Sequence, residues 1–480
     1  MMQERIRPVL SFTTVNVLLA LVGVVVTASP GTHSTATAQV PQPWMAYADV
    51  SEAGFSAAAL EEARVFADSN RAAAVMALHR GRVVAAWGAV DRPLMAHSVR
   101  KSLAGALYGI AVDEKVLSLS STLAEFGIDD EPPLNADEKR ATFGDLIASR
   151  SGVYHGAAYA DADQEKQRPA RGSHLPGTFW FYNNWDFNTA ESIYQRKTGE
   201  DVYAAFDRRI ARVLGMEDFD PARQFRVLEP SQSRFPAHTF RISARDLARF
   251  GQMYLQEGRW AGHQVVPAAW VRESFRVHSV TGDKTGYGYL WWIYEAGSLG
   301  ANYPTLDKMA VYLARGTGGQ TVFVIPQAEM VVVHRGDTDN GRSVAGPPIW
   351  QLVERLVAAG RGAATTTPRL VPMVVQPLAS NLPAPPEPVE VPIDAPARRR
   401  LSGEYVIAPG AVARVFEYDG RLFMSIPGQG EAELFATSAS TFTIKVERGV
   451  TVVFQSGTDG AVTGAEVTIG RQKIVAVRKS

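Results

Sequence analysis

His97-Ser98-Val99-Arg100-Lys101-Ser102 opens a run in which apolar Val99, Leu103, Ala106 and Ile110 recur at helical spacing. Ser98 and Lys101 are three residues apart and so share one face of that helix. Ser98 falls in the first turn, where the helix dipole favours developing negative charge. A serine hydroxyl is a weak nucleophile until a base takes its proton, and a lysine held in a desolvated site beside other donors has its pKa lowered enough to do so. Alone, Ser-x-x-Lys is a common coincidence that reads first as a helix cap with a solvated lysine. Two distant segments change that reading.

The first is Phe181-Tyr182-Asn183-Asn184-Trp185, which follows Pro176-Gly177 and precedes a helical run through Ile193. It is a loop carrying a tyrosine hydroxyl and, two residues on, an amide. A phenol whose pKa a neighbouring lysine lowers can relay the serine proton to a leaving group, and Asn184 can orient a substrate carbonyl. The second is Gly316-Thr317-Gly318-Gly319-Gln320, directly before the strand-like Thr321-Val322-Phe323-Val324-Ile325. Glycines there let substrate lie close to backbone, and a backbone N–H at a strand start can bind an oxyanion.

Around these segments the chain is organised symmetrically. Ser56 caps an amphipathic helix bearing Leu60, Ala63, Val65 and Phe66, and Val75–His79 and Val83–Trp87 form a hairpin about Arg80-Gly81-Arg82. Thr321–Ile325 and Met330–Val333 repeat the hairpin far away, before a helix with Ile349, Leu352, Val353 and Leu356. Hairpins at both ends of a mostly helical middle predict an α/β (α+β) domain whose terminal strands share one antiparallel sheet flanked by helices. The predicted domain spans 39–360. Thr365-Thr366-Thr367-Pro368 and the prolines from Pro383 to Pro388 then read as a semi-extended linker, 361–397. From 398 to 480, short alternating runs broken by Asp419-Gly420, Arg448-Gly449 and Asp459-Gly460 predict a small antiparallel β-barrel.

At the N-terminus, Arg5 and Arg7 precede the apolar run Val17–Val26 and the small residues ending Ala36-Thr37-Ala38. The run is short of the ~20 apolar residues of a spanning helix, and Ala36-x-Ala38 suits a signal peptidase. Residues 1–38 therefore read as a signal peptide, with an uncleaved membrane anchor as the alternative. Either way the body faces an extracytoplasmic space, periplasmic or secreted. The 480 residues carry 49 Lys+Arg against 49 Asp+Glu, so no basic field draws nucleic acid to the protein. Cys 0 removes disulfides, thiolate nucleophiles and zinc–thiolate sites together, leaving Ser, Thr, Lys, Tyr or a carboxylate as covalent nucleophile.

Taken together, the segments resemble the serine β-lactamase and penicillin-binding-protein-like hydrolases, in the branch of class C β-lactamases, esterases and aminohexanoate-oligomer hydrolases. Ser98-x-x-Lys101 is similar to the first family motif and Tyr182-Asn183-Asn184 to its Tyr-x-Asn. Arg241–Gly251 resembles a family helix opening, and Tyr287-Gly288-Tyr289-Leu290-Trp291-Trp292 the aromatic strand after it. The resemblance spans about Phe55 to Ala359 and implies a β-lactamase/transpeptidase-like fold with an all-helical subdomain, the barrel being accessory. It implies Ser98 as nucleophile, Lys101 as base, Tyr182 as proton relay and Asn184 as a substrate contact, acting on a small-molecule or peptide-like ester or amide without metal or cofactor.

The third family motif departs from its usual Lys-Thr-Gly, His-x-Gly or Trp-x-Gly. Alignment gives Thr317-Gly318-Gly319, with the Gln320 N–H as second oxyanion donor beside that of Ser98; one residue earlier, the donor becomes Gly319. Neither register supplies the cation that binds a substrate carboxylate, unless Arg315 compensates. Two literal copies, Lys197-Thr198-Gly199 and Lys284-Thr285-Gly286, read as a helix end and a loop. His97, His155, His174, His238 and His334 lack paired metal-ligand spacing, with His97 and His155 the two nearest the expected cleft. The expected activity is serine hydrolysis; the rivals are a D-amino-acid-specific peptidase acting on cell-wall fragments and a non-catalytic binding protein of the same fold.

Overall fold

The computed structural model describes residues 43–360, 362–427, 430–446, 448–470 and 472–479, so the leader and its expected cleavage point lie outside the described residues. Ten strands form the main sheet: β1 (Met45–Tyr47), β2 (Ala74–His79), β3 (Arg82–Gly88), β4 (Ser279–Gly282), β5 (Thr285–Tyr287), β6 (Trp292–Tyr294), β7 (Val311–Gly316), β8 (Gln320–Ile325), β9 (Met330–Arg335) and β10 (Leu370–Pro372). Their order is β4-β5-β6-β7-β8-β9-β2-β3-β1-β10. The terminal hairpins meet as expected, with β9 antiparallel to β2 from Met330↔His79 to Arg335↔Ala74. β1 and β3 pair in parallel, as do Trp87 and Gln376 in a β-bridge.

Helices cover both faces, which is why the central strands read as unbroken apolar runs. Alternate side chains serve different cores: Met76 and Leu78 pack on one side, Val75 and Ala77 on the other. The second side is closed by α1 (Ala57–Ser69), capped by the Ser56 hydroxyl as expected, and by a C-terminal helix, Gly346–Ala359. The first holds α2 (Val99–Asp113), α3 (Asn184–Thr198) and α4 (Ala244–Leu255). Almost every residue of α2 is buried, including Arg100 and Lys101, so the helix is a central one. Gly109 permits this, since a Cβ there would lie 2.3 Å from the Trp270 ring.

The stretch read as a linker is extended but not free. Leu370–Pro372 joins the sheet through β1, Leu378 is buried, and Gly88 donates to the Gln376 carbonyl. A proline-rich strap has few N–H groups to satisfy but many carbonyls to offer, and those of Ser380 and Pro383 accept from Arg342 and Asn340. Beyond it, strands Gly403–Ala408, Ala411–Tyr418, Arg421–Ile426, Gly430–Ala436, Thr441–Thr443, Val450–Ser456, Val462–Ile469 and Gln472–Arg478 close an eight-stranded antiparallel barrel. Tyr405, Phe442 and Phe454 fill it. Asp419-Gly420 turns with both residues at positive φ between Tyr418 and Arg421, the two-residue hairpin the sequence announces. Among the described residues no helix is long and apolar enough to cross a membrane.

Candidate active site

Ser98 stands at the N-cap position of α2, yet its hydroxyl makes no capping bond. It accepts instead from Lys101 Nζ at 2.8 Å. Lys101 is 2% exposed, and burial, helped by the adjacent Arg100, lowers its pKa well below the ordinary lysine value against the opposing pull of Glu191 and Asp161. Its Nζ lies 4.7 Å from the centre of the Tyr182 ring and 4.8 Å from that of Phe187. Arg100 is held away by a buried ion pair with Glu191 and a 2.6 Å bond to Asn188 Oδ1. The apolar burial of α2 thus strips water from Lys101, while the cation next to it makes a second charge costly.

Tyr182 comes to the same place by a different route. Its loop is pinned from below: Ser149 Oγ donates to the Phe181 carbonyl at 2.6 Å and accepts from Asn183 N–H at 2.9 Å. Asn183 caps α3 and donates to Val153 O and Asp186 Oδ1, and Ser151 Oγ donates to Asp186 Oδ1. The expectation of a depressed phenol pKa is overturned. Burial pushes Tyr182 up to about 12, more than its hydrogen bond with Ser98 and the charges of Arg100 and Arg315 pull it down. Burial of the phenol outweighs the donors and cations around it, so Tyr182 keeps its proton at neutral pH.

Asn184 is buried, and its Nδ2 donates to the Tyr159 carbonyl at 2.5 Å. A carbonyl accepts only from the amide's nitrogen, which fixes the orientation and leaves Asn184 Oδ1 as a buried acceptor without a partner among the described residues. The group left over at this position is therefore an acceptor rather than the donor expected for a substrate carbonyl.

The glycine-rich segment is where sequence alignment and structure part. Gly316, the last residue of β7, abuts the nucleophile: a Cβ there would lie 2.5 Å from Ala96 O and 2.9 Å from Ser98 N. Thr317, Gly318 and Gly319 form the turn to β8, with Gly318 at φ 77 and Gly319 at φ 91. Those two glycines face Thr338 and Val344, not Ser98. Gln320 pairs with Gly316 in the sheet, one strand further on, and its buried amide links Arg335 Nε to the Gly336 carbonyl. The Gln320 and Gly319 backbones are thus not the ones at Ser98. The third-motif position falls on Ala314-Arg315-Gly316, which puts the exposed Arg315 on the bordering strand, near Tyr182. β6 stops pairing with β7 at Leu313, so beyond it the β7 edge is open. A steric cue, the glycine that must sit under the nucleophile, would have found this register.

Of the two literal Lys-Thr-Gly strings, Gly199 ends α3 in the left-handed conformation, and Thr285-Gly286 lies on β5 near the far edge of the sheet. His97 borders Ser98, with φ 47, and its ring joins Tyr159 OH at 2.7 Å and Thr338 Oγ1 at 3.1 Å. Burial brings its pKa down to about 4, so it is neutral. His155 lies elsewhere, between Asp130 and Glu138. Among the described residues no group of three or more His, Asp or Glu is placed to hold a metal ion. Tyr159, in a loop without a readable pattern, is the contact that sequence reasoning missed.

Comparison with known proteins places residues 57–335 on the family model described as Beta-lactamase. Among solved structures, the chain is similar to an octameric penicillin-binding protein homologue from Pyrococcus abyssi (15% identity, 87% of this chain and 99% of that one, TM-score 0.47). It is also similar to a penicillin-binding protein homologue from Caulobacter crescentus (16%, 63% and 97%, TM-score 0.48) and to EstCE1, a hydrolase with promiscuous acyltransferase activity (17%, 65% and 100%, TM-score 0.46). No curated protein sequence matches. With the family model covering more than half of its length, the chain belongs to the Beta-lactamase family, whose members are serine hydrolases.

Proposed function

We propose that this protein is an exported serine hydrolase that cleaves an ester or amide through an acyl-enzyme on Ser98. The observation that carries the reading is the 2.8 Å contact between Lys101 Nζ and Ser98 Oγ, made by a lysine whose burial lowers its pKa well below the ordinary lysine value. In this scheme Lys101 takes the hydroxyl proton as Ser98 attacks the carbonyl. Tyr182, protonated at neutral pH, passes a proton to the leaving group and is recharged from Lys101. The N–H groups of Ser98 and of Thr317, the residue leaving the open end of β7, hold the oxyanion. Asn184 Oδ1 accepts from a substrate N–H where one is present. Water then releases the acyl group.

The test is covalent labelling with a fluorophosphonate. The wild type should be labelled at Ser98 and Ser98→Ala not at all; labelling of both would place the nucleophile elsewhere. One observation favours a second reading, a peptidase for substrates with a free carboxylate: Arg315 stands on the strand beside the nucleophile, where a cation suits such a group. Hydrolysis of D-Ala-D-Ala peptides, lost in Arg315→Gln while simple esters are still cleaved, distinguishes it. The Ser98–Lys101 contact argues against a purely scaffolding role, which would show neither burst nor steady-state release from a chromogenic ester.

A further inference from the structure

Tyr159 makes contacts to three parts of the molecule at once. Its hydroxyl meets His97 Nδ1 at 2.7 Å, next to Ser98 in the chain. Its carbonyl takes the Asn184 amide at 2.5 Å and thereby sets which end of that amide faces away. Its N–H donates to Glu229 Oε1 at 2.9 Å. Tyr159 holds φ 63, a left-handed conformation that a bulky residue adopts only when its surroundings impose it. His97, at φ 47, is held in the same way between Tyr159 and Thr338.

Glu229 belongs to the hairpin Arg226–Glu229/Ser233–His238, and the barrel strand Gly430–Ala436 packs against the first arm of that hairpin. Glu431 on that strand is buried, has neither carboxylate oxygen in a well-formed hydrogen bond among the described residues, and lies beside Ser231 at the hairpin turn and near Glu229. The charged groups facing Glu229 are Glu431 from the barrel and Glu165 from the helix Ala162–Gln167. Burial, with those two carboxylates adding to it, brings Glu229 up to about 7, which lets acidic side chains from barrel and hairpin lie close without full repulsion.

We propose that Tyr159 is a positioning residue for the Ser98 site and that the C-terminal barrel shares in holding it, through the hairpin that carries Glu229. The barrel is then part of the catalytic domain's working geometry rather than an appendage. This rests on Ser98 being the nucleophile.

The experiment uses the full chain and measures the second-order rate of Ser98 labelling by a fluorophosphonate, kcat and KM on a chromogenic ester, and the melting temperature. Tyr159→Phe keeps both backbone contacts and loses only the hydroxyl; Glu229→Ala frees the Tyr159 N–H; Glu229→Gln keeps an acceptor for it. Labelling should slow about 3- to 10-fold in Tyr159→Phe and in Glu229→Ala, the span expected from one lost hydrogen bond, with kcat falling more than KM rises. Glu229→Gln should stay within about 2-fold, a rescue that a role in stability alone does not predict. Glu431→Arg, which draws the Glu229 carboxylate toward the barrel, should slow labelling as Glu229→Ala does. Glu229→Ala labelling at the wild-type rate would overturn the role of Tyr159, as would equal losses in Glu229→Gln and Glu229→Ala. A wild-type rate in Glu431→Arg would overturn the barrel's share. Absence of Ser98 labelling in the wild type would instead refute the hydrolase reading itself.

Discussion

Gly316→Ala puts a methyl group where the structure has none to spare. The added Cβ would lie 2.5 Å from Ala96 O and 2.9 Å from Ser98 N, both backbone atoms that no rotamer change can move. Relaxing the first contact to an ordinary C···O separation of about 3.3 Å requires β7 and the start of α2 to part by about 0.8 Å. Overpacking of this kind costs about 1–3 kcal/mol of stability. A misplacement near 1 Å at a reacting centre costs about 100-fold in rate. The labelling rate of Ser98 should therefore fall by about 30- to 100-fold, well beyond what the loss of folded protein explains. Fluorophosphonate labelling normalised to folded protein by circular dichroism measures this. Gly346→Ala is the control, since nothing lies within 4 Å of a Cβ there. Wild-type labelling by Gly316→Ala would show that β7 does not border the nucleophile and would return the third motif to Thr317-Gly318-Gly319.

Lys101→Met should slow acylation by 100-fold or more, on the order of a lost general base, yet leave the melting temperature equal or higher at pH 7. The sign follows from linkage: with a folded pKa depressed below the unfolded one, the unfolded chain binds more protons between the two, so Lys101 destabilises at neutral pH and that cost fades as pH rises toward 10.5. For the same reason the wild-type labelling rate should fall on acidification as Lys101 takes up a proton, with a midpoint well below the ordinary lysine value; a rate that rises on acidification contradicts a lysine base. Tyr182→Phe should lower turnover about 10- to 1000-fold, and because the phenol is pushed up to about 12, the wild-type profile should show no step near pH 10 from its ionisation. Asn184→Leu removes the unpaired Oδ1 together with the Nδ2 bond to the Tyr159 carbonyl, so it should slow labelling generally and also lose preference for substrates that carry an N–H beside the scissile group, as read from matched ester pairs.

Much of this was legible in the chain itself because it depends on short-range pattern. The helical repeat that places Ser98 and Lys101 on one face, the paired hairpins at Ala74–Gly88 and Gln320–Arg335, the Ser56 cap and the Asp419-Gly420 turn are consequences of local sequence, and each forms where its residues call for it. What the order of residues could not carry is which surfaces meet. Whether Lys101 is solvated or dry depends on every side of α2 being covered by elements far away in the chain, and that covering lowers its pKa, just as the burial of Tyr182 raises that of the phenol. The register of the third motif turned on a contact between Gly316 and Ser98, more than two hundred residues apart in sequence, which no alignment of glycines among Gly316, Gly318 and Gly319 resolves. Tyr159 and the strap across residues 370–391 were invisible for the same reason: loop and proline-rich backbones acquire meaning from the partner that takes up their hydrogen bonds, and that partner is chosen by tertiary packing.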